Sequence, residues 1–209
     1  MIDFIEYAEA HTTAESELLQ KINRETHLYV MHPRMLSGVI KGSLLRFISR
    51  MIRPQRNLEI GTYTGYSALC LAEGLQEQGE LITIEHDPEL EDRACGYFRE
   101  AGKDGQIKML MGEGIEVLNT VEGPFDLAFI DADKRDYPEL YERVMEKVCP
   151  GGFILADNVL WGGKVLKDAP DADQDTNGMK RFNDRVQKDE RAENVMLPFQ
   201  DGLMLIRKK

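Results

Sequence analysis

The sequence predicts an α/β fold: a mostly parallel seven-stranded sheet, helices on both faces and an antiparallel hairpin at the C-terminal end. Three observations carry that prediction. From Asn57 onward, short apolar or β-branched runs at 58–60, 81–85, 107–111, 125–130 and 152–156 alternate with helical patterns, as parallel strands joined by crossover helices require. The runs Asn194–Phe199 and Leu203–Arg207 flank Gln200-Asp201-Gly202, a turn that returns the chain antiparallel. The first strand ends in a glycine turn, Gly61-Thr62-Tyr63-Thr64-Gly65, that leads straight into a helical pattern.

Residues 1–54 read as two or three helices ahead of the sheet, with Leu18, Leu19 and Ile22 in one periodic run and Val39, Ile40, Leu44, Leu45, Phe47, Ile48 and Met51 in another. Between them, Tyr29 to Gly38 contains Pro33 and Gly38, which forbid a continuous helix, and this connector is a candidate lid. Residues 55–209 then form the ligand-binding core of what the length makes one domain. Its helices fall near 67–77, 88–101, 114–120, 136–148 and 176–190. The connection from Gly162 to Asn177 is long and carries Asp168, Asp171, Asp173 and Asp175, and a loop of that length in a compact domain is functional or mobile.

Composition excludes several classes of function. No apolar run reaches the ~20 residues a membrane helix needs. The first residues, Met1 to Glu6, are acidic where a secretory signal is basic, so a cytoplasmic protein is expected. Cys70, Cys95 and Cys149 are odd in number, far apart and set among apolar neighbours, the pattern of reduced core residues. The ten methionines read as core filling. A net charge of −11 argues against wrapping nucleic acid through bulk charge. One basic region stands out, because no acid occurs between Glu25 and Glu59 and Arg46, Arg50 and Arg53 recur at i, i+4 and i+7 on one helix face. That stripe is either a solvated or dimer-contacting face or a track for an RNA backbone.

The glycine turn points to a ligand. Gly61 and Gly65 can adopt positive φ and let a ligand lie against main-chain N–H groups, with the helix from Ser67 aimed at it. The spacing is G-x-x-x-G with Tyr63 where a dinucleotide fingerprint has its middle glycine, so a pyrophosphate loses its close approach. An adenosine ligand without pyrophosphate remains, most economically S-adenosylmethionine (AdoMet). Glu85 ends the next strand twenty residues beyond Gly65, the offset for a carboxylate that accepts from ribose hydroxyls. Glu59 is an acid inside an apolar strand and is taken as a second site residue, because such a group must be paired or hydrogen-bonded. A purely structural βα turn is the competing reading.

Two further strand ends supply oxygen donors: Asp131 after Phe125–Ile130, and Asp157-Asn158 after Phe153–Ala156. Carboxylate and amide oxygens with no His or Cys alongside favour Mg²⁺, Mn²⁺ or Ca²⁺ over zinc. The competing reading makes Asp157-Asn158 a turn and Asp131 or Asp133 a helix cap.

Taken together these motifs resemble the metal-dependent class I O-methyltransferases, the Rossmann-like family of catechol and caffeoyl-CoA O-methyltransferases, and more closely its bacterial branch. The resemblance runs from about Met35 to the C-terminus and rests on Glu59–Ser67, Ile82–Glu85, Phe129–Lys134, Ala156–Trp161 and Leu197-Pro198 with Asp201-Gly202. It implies that Asp131, Asp157 and Asn158 ligate the divalent cation, that Glu85 takes the ribose, and that Lys134 is the active-site lysine beside Asp131. It implies cofactor contacts from Met35, Ser37, Glu59, Gly61, Tyr63, Ser67, Glu113, Gly114 and Asp131, and it suggests a homodimer. Two positions depart from the family pattern: Gly112-Glu113-Gly114 replaces the usual residues after the third strand, and Pro198 stands nearest to the late acid that binds the second hydroxyl in catechol O-methyltransferase.

Methyl transfer from a sulfonium to a hydroxyl is an in-line displacement, and a bound cation lowers the hydroxyl's pKa. Lys134 can take or share the proton if its own pKa is depressed; otherwise it is a solvated surface lysine. Trp161 reads as a wall for a flat substrate or as core, and His32 joins it as a candidate substrate contact, although the four histidines show no metal-ligand spacing. The leading expectation is an AdoMet- and metal-dependent O-methyltransferase acting on a small molecule with vicinal hydroxyls. The rivals are methylation of a 5-hydroxyuridine in tRNA, which the resemblance allows, and a non-catalytic nucleotide binder, which the missing middle glycine and the metal trio disfavour.

Overall fold

The computed structural model describes residues 4–170 and 173–209, so Asp171 of the acidic loop lies outside the described residues. Three helices come first: α1 (Phe4–Ala10), α2 (Glu17–Tyr29) and α3 (Gly38–Ile52). The Ser16 hydroxyl caps α2 by accepting from Leu19 N, and Leu19, Ile22 and Thr26 form its buried face. The connector from Val30 to Ser37 contains a 3-10 turn at Pro33–Met35, and α3 resumes at Gly38 with φ of +78°.

The sheet alternates with helices as expected: β1 (Arg56–Ile60), α4 (Tyr66–Ala72), β2 (Glu80–Glu85), α5 (Glu91–Glu100), β3 (Ile107–Met111), α6 (Gly114–Thr120), β4 (Phe125–Ile130), α7 (Tyr137–Lys147), β5 (Val148–Asp157), α8 (Gln174–Lys188), β6 (Ala192–Leu197) and β7 (Leu203–Lys208). The strand order is β3-β2-β1-β4-β5-β7-β6, with β1 to β5 parallel and β7 inserted antiparallel between β5 and β6. The chain winds outward in both directions from β1 and β4. Ligands of open parallel sheets sit at that reversal, beyond the carboxyl ends of the strands.

Both faces of the sheet are covered, which is why its strands read as near-continuous apolar runs. Leu58, Ile60, Ile84, Ala128, Ile130 and Ile154 pack against α6, α7 and α8 through Leu118, Tyr137, Leu140, Val144 and Phe182. On the other face Leu81, Leu127, Phe129 and Leu155 meet Leu45 and Ile48 of α3, Leu69 and Leu71 of α4, and Phe98 of α5. Asn57 and Glu59 are the polar residues of β1 on that second, apolar face, and both are fully buried.

Several boundaries differ from the sequence reading. The first crossover helix stops at Ala72 and does not reach 77, because Gly74 lies against the α3 backbone, where a Cβ would come within 2.2 Å of the Ser49 carbonyl carbon. Strand β5 begins at Val148, not 152, because Pro150-Gly151-Gly152 is absorbed in a strand whose register with β4 shifts between Phe125 and Leu127. Strand β6 runs 192–197, two residues earlier than expected. The acidic connection is partly ordered as a 3-10 segment at Trp161–Leu166. Methionine is not only core filling: Met145, Met179 and Met204 are buried, but Met31, Met35 and Met51 are exposed, the first two on the connector. The cysteines are free, with Cys70 buried and Cys95 and Cys149 half-buried.

Candidate active site

A cavity of about 1180 Å³ opens at the carboxyl ends of the strands. Of the residues singled out in the sequence as site candidates, all but Glu59 and Gly65 line it: Met35, Ser37, Gly61, Tyr63, Ser67, Glu85, Glu113, Gly114, Asp131, Lys134, Asp157, Asn158, Trp161 and His32. Glu59 lies beneath the wall. Its Oε2 accepts from the Thr83 hydroxyl at 2.5 Å, and Thr83 is in turn 2.5 Å from the Thr62 hydroxyl of the glycine turn. Glu59 is fully buried, and burial pushes its carboxyl up to about 8 against the pull of hydrogen bonds from Thr83 and Ser67. Glu59 thus reaches the cavity only through the floor it supports.

The glycine turn is wedged against the neighbouring strand. Gly61 has φ of +103°, and a Cβ there would come within 1.9 Å of the Asp131 carbonyl oxygen, so only glycine lets β1 exit over the end of β4. Tyr63, in place of a fingerprint glycine, itself takes a positive φ of 50°. Its amide donates to Glu85 Oε2 at 2.7 Å, and its hydroxyl donates to the Met31 carbonyl at 2.9 Å, which ties the connector over the turn. Glu85 Oε1 accepts from the amides of His86 and Asp87, both at 2.9 Å. The carboxylate therefore reaches the cavity already oriented by three main-chain donors.

Across the cavity the groups are held by side chains. Lys134 Nζ donates to Asp131 Oδ1 at 2.9 Å and to the Tyr137 hydroxyl at 3.1 Å, 5.8 Å from the centre of the Trp161 ring. The same hydroxyl lies 3.1 Å from the Ile130 carbonyl and 2.9 Å from the Asp157 carbonyl, so Tyr137 spans the ends of β4 and β5. Lys41, on the first turn of α3, donates to Asp157 Oδ2 at 2.5 Å, while Asp157 Oδ1 accepts from Asn158 N at 2.8 Å. Burial and the Asp131 charge push the Asp157 carboxyl up, and Lys41 opposes them. Asn158 and Trp161 have φ of +58° and +46°, strained values that persist because the turn before β7 and α8 hold this exit: Val159 N donates to Gly202 O, and Asn183 donates to Val159 O at 2.8 Å.

Three expectations change here. Lys134 is not depressed: burial lowers its pKa, but Tyr137 and Asp131 more than reverse this, so it is an ammonium. Neither Asp131 nor Asp133 caps a helix by its side chain, which removes the capping alternative. The basic stripe is not free, because Glu73 pairs with Arg50 at 2.6 Å and lies 3.9 Å from Arg46, whose side chain is only 11% exposed. Arg53 leaves the face altogether, since α3 ends at Ile52 and Arg53 turns into the left-handed region.

Sequence reasoning missed Lys41 and Tyr137. Lys41 had a signal: with Leu45 and Ile48 it falls at i, i+4 and i+7 on the buried face of α3, where a lysine needs a partner.

The sequence profile of a family described as O-methyltransferase matches residues 9–209. The chain belongs to that family. The methyltransferase is 30% identical to a caffeoyl-CoA O-methyltransferase of Stellaria longipes over 93% of its own length and 84% of that relative. It is 37% identical to a catechol O-methyltransferase of Niastella koreensis, with 68% of this chain and 66% of the relative covered. The O-methyltransferase of Bacillus cereus in complex with SAH matches with a TM-score of 0.91 at 25% identity, over 97% of this chain and 96% of that one. The methyltransferase is thus a member of the AdoMet-dependent enzymes of the caffeoyl-CoA and catechol type. Among its described residues no helix is long and apolar enough to cross a membrane.

Proposed function

We propose that the enzyme methylates one hydroxyl of a small, flat molecule with vicinal hydroxyls, using AdoMet and a divalent cation held by Asp131, Asp157 and Asn158. The observation that carries this reading is the convergence on one cavity of Glu85 at one side and, at the other, two carboxylates, Lys134 and the Asn158 amide, whose side chain has no hydrogen-bond partner among the described residues. Oxygen donors alone fit Mg²⁺, Mn²⁺ or Ca²⁺. When bound, such a cation supplies Lewis-acid activation of the acceptor hydroxyl.

The protein's own residues account for the rest. Glu85 has three of its roughly four acceptor positions filled by amides, which leaves Oε2 able to accept from a ribose hydroxyl. Lys134, as an ammonium, would donate to the acceptor oxygen and stabilise the negative charge that develops as the hydroxyl proton passes to water at the mouth of the cavity. AdoMet, when bound, would supply the methyl group to that oxygen, its sulfur keeping the electron pair of the broken carbon–sulfur bond and leaving as a neutral thioether. Trp161 gives a flat acceptor a face to lie on, and exposed Met31 and Met35 give an adaptable apolar rim. Incubation with methyl-labelled AdoMet, a panel of catechols and, in parallel, bulk unmodified tRNA tests the reading. Label in a catechol is the expected result; label in tRNA alone would overturn it.

A further inference from the structure

We propose that Lys41 is a resident counter-cation of the strand-end cluster, one that a divalent cation must displace from Asp157. The inference rests on the reading that Asp131, Asp157 and Asn158 form a cation site. Lys41 is 6% exposed, and its ammonium sits 2.5 Å from Asp157 Oδ2. Its position is otherwise unfavourable: it is desolvated, and it lies in the first turn of the fifteen-residue helix α3, at the positive end of the macrodipole. Gly42 makes the approach possible, since a Cβ there would come within 2.6 Å of the Tyr66 ring and push α3 away from the cavity.

The charges balance without any divalent ion. Asp131 pairs with Lys134 and Asp157 pairs with Lys41, two carboxylates against two ammoniums. The two lysines are not equivalent. Lys134 is fixed by a second bond to Tyr137, whereas Asp157 is the one polar partner of the Lys41 side chain among the described residues. Lys41 is therefore the one that can yield. Asp157 does not depend on it for orientation, because its other oxygen accepts the Asn158 amide and its carbonyl faces Tyr137. With orientation secured elsewhere, the dominant effect of Lys41 on an incoming cation is like-charge repulsion and competition for Oδ2. Lys41 keeps the cluster paired when no cation is present and weakens cation binding in return.

The test is calorimetric titration of Mn²⁺ into the parent, Lys41→Met, Lys41→Arg and Asp157→Asn, with thermal melting of each in the presence and absence of Mn²⁺. Lys41→Met should bind Mn²⁺ about tenfold tighter or more, while Lys41→Arg, which keeps the charge, stays near the parent. Lys41→Met should also melt lower than the parent without cation and gain more from Mn²⁺, since it leaves Asp157 unpaired until the cation arrives. Should Lys41→Met fail to fold, Lys41→Gln serves the same comparison. Unchanged or weaker binding in the neutral variant, with the parent still binding, would show that Lys41 merely orients Asp157 and would overturn the proposal while leaving the cation site intact. Equal Mn²⁺ affinity in the parent and Asp157→Asn would remove the site itself, and the proposal with it.

Discussion

Glu85 and Asp157 are both buried acids at the carboxyl ends of parallel strands, yet the two halves of the cavity hold them differently. Glu85 is gripped by three main-chain amides, two of them from the residues that follow it. Asp157 is gripped by its own neighbour's amide and by Lys41, 116 positions away in sequence. Backbone donors fix one geometry and carry no net charge, which suits a neutral ribose. Side-chain ammoniums can move and can be exchanged, which suits the cation site proposed above. The difference predicts that the β1–β2 half governs cofactor affinity and the β4–β5 half governs turnover.

The largest effect should come from the β4–β5 half. Lys134→Met is expected to lower kcat by about 10²- to 10⁴-fold, with AdoMet affinity nearly unchanged, as a group acting on the reacting oxygen should. A parallel loss of AdoMet affinity in calorimetry would break the division. Glu85→Ala is the converse: AdoMet Kd should rise on the order of 10- to 100-fold from the loss of charge-assisted hydrogen bonds. An unchanged Kd would take Glu85 out of the site.

A smaller effect is expected of Tyr137→Phe, which keeps the edge contact with Phe182 but removes the hydroxyl that steadies Lys134 and bridges two strand ends. Its kcat should fall about tenfold with the AdoMet Kd unmoved. Equal turnover in the variant would make the hydroxyl a purely structural feature.

The effect furthest from the chemistry concerns stability and Glu59. The folded carboxyl titrates at about 8 against an ordinary 4.5, so between those values the folded chain retains a proton that the unfolded chain has released. Stability is therefore fully present below about 4.5 and falls as pH rises through about 8, by an amount on the order of a few kcal/mol. Glu59→Gln should lack this slope, and melting curves from pH 5 to 9 should separate the two proteins progressively. Parallel curves would mean that Glu59 is ionised at no expense to the fold.

How much of this was legible in the sequence follows from the same contrast. The alternation of strands and helices, the Gly61–Ser67 turn and Glu85 were readable because their geometry is local: a glycine, an offset, an alternating pattern. Asp131, Asp157 and Asn158 could be placed at strand ends, but their convergence came from resemblance, since sequence does not state which ends adjoin. Lys41 was missed because its partner lies on a distant strand, although its place on an apolar helix face was visible. Arg46 and Arg50 misled for the mirror-image reason: Glu73, which neutralises them, belongs to the end of the next helix.

The most direct test of the account is methyl transfer from AdoMet to a simple catechol in excess chelator, followed by restoration of Mg²⁺, Mn²⁺ or Ca²⁺, on the parent and on Asp157→Ala. The account predicts that chelation abolishes turnover, that at least one of these cations restores it in the parent, and that none restores it in Asp157→Ala while its melting curve still shows a folded protein. Full turnover of the parent in excess chelator would contradict it.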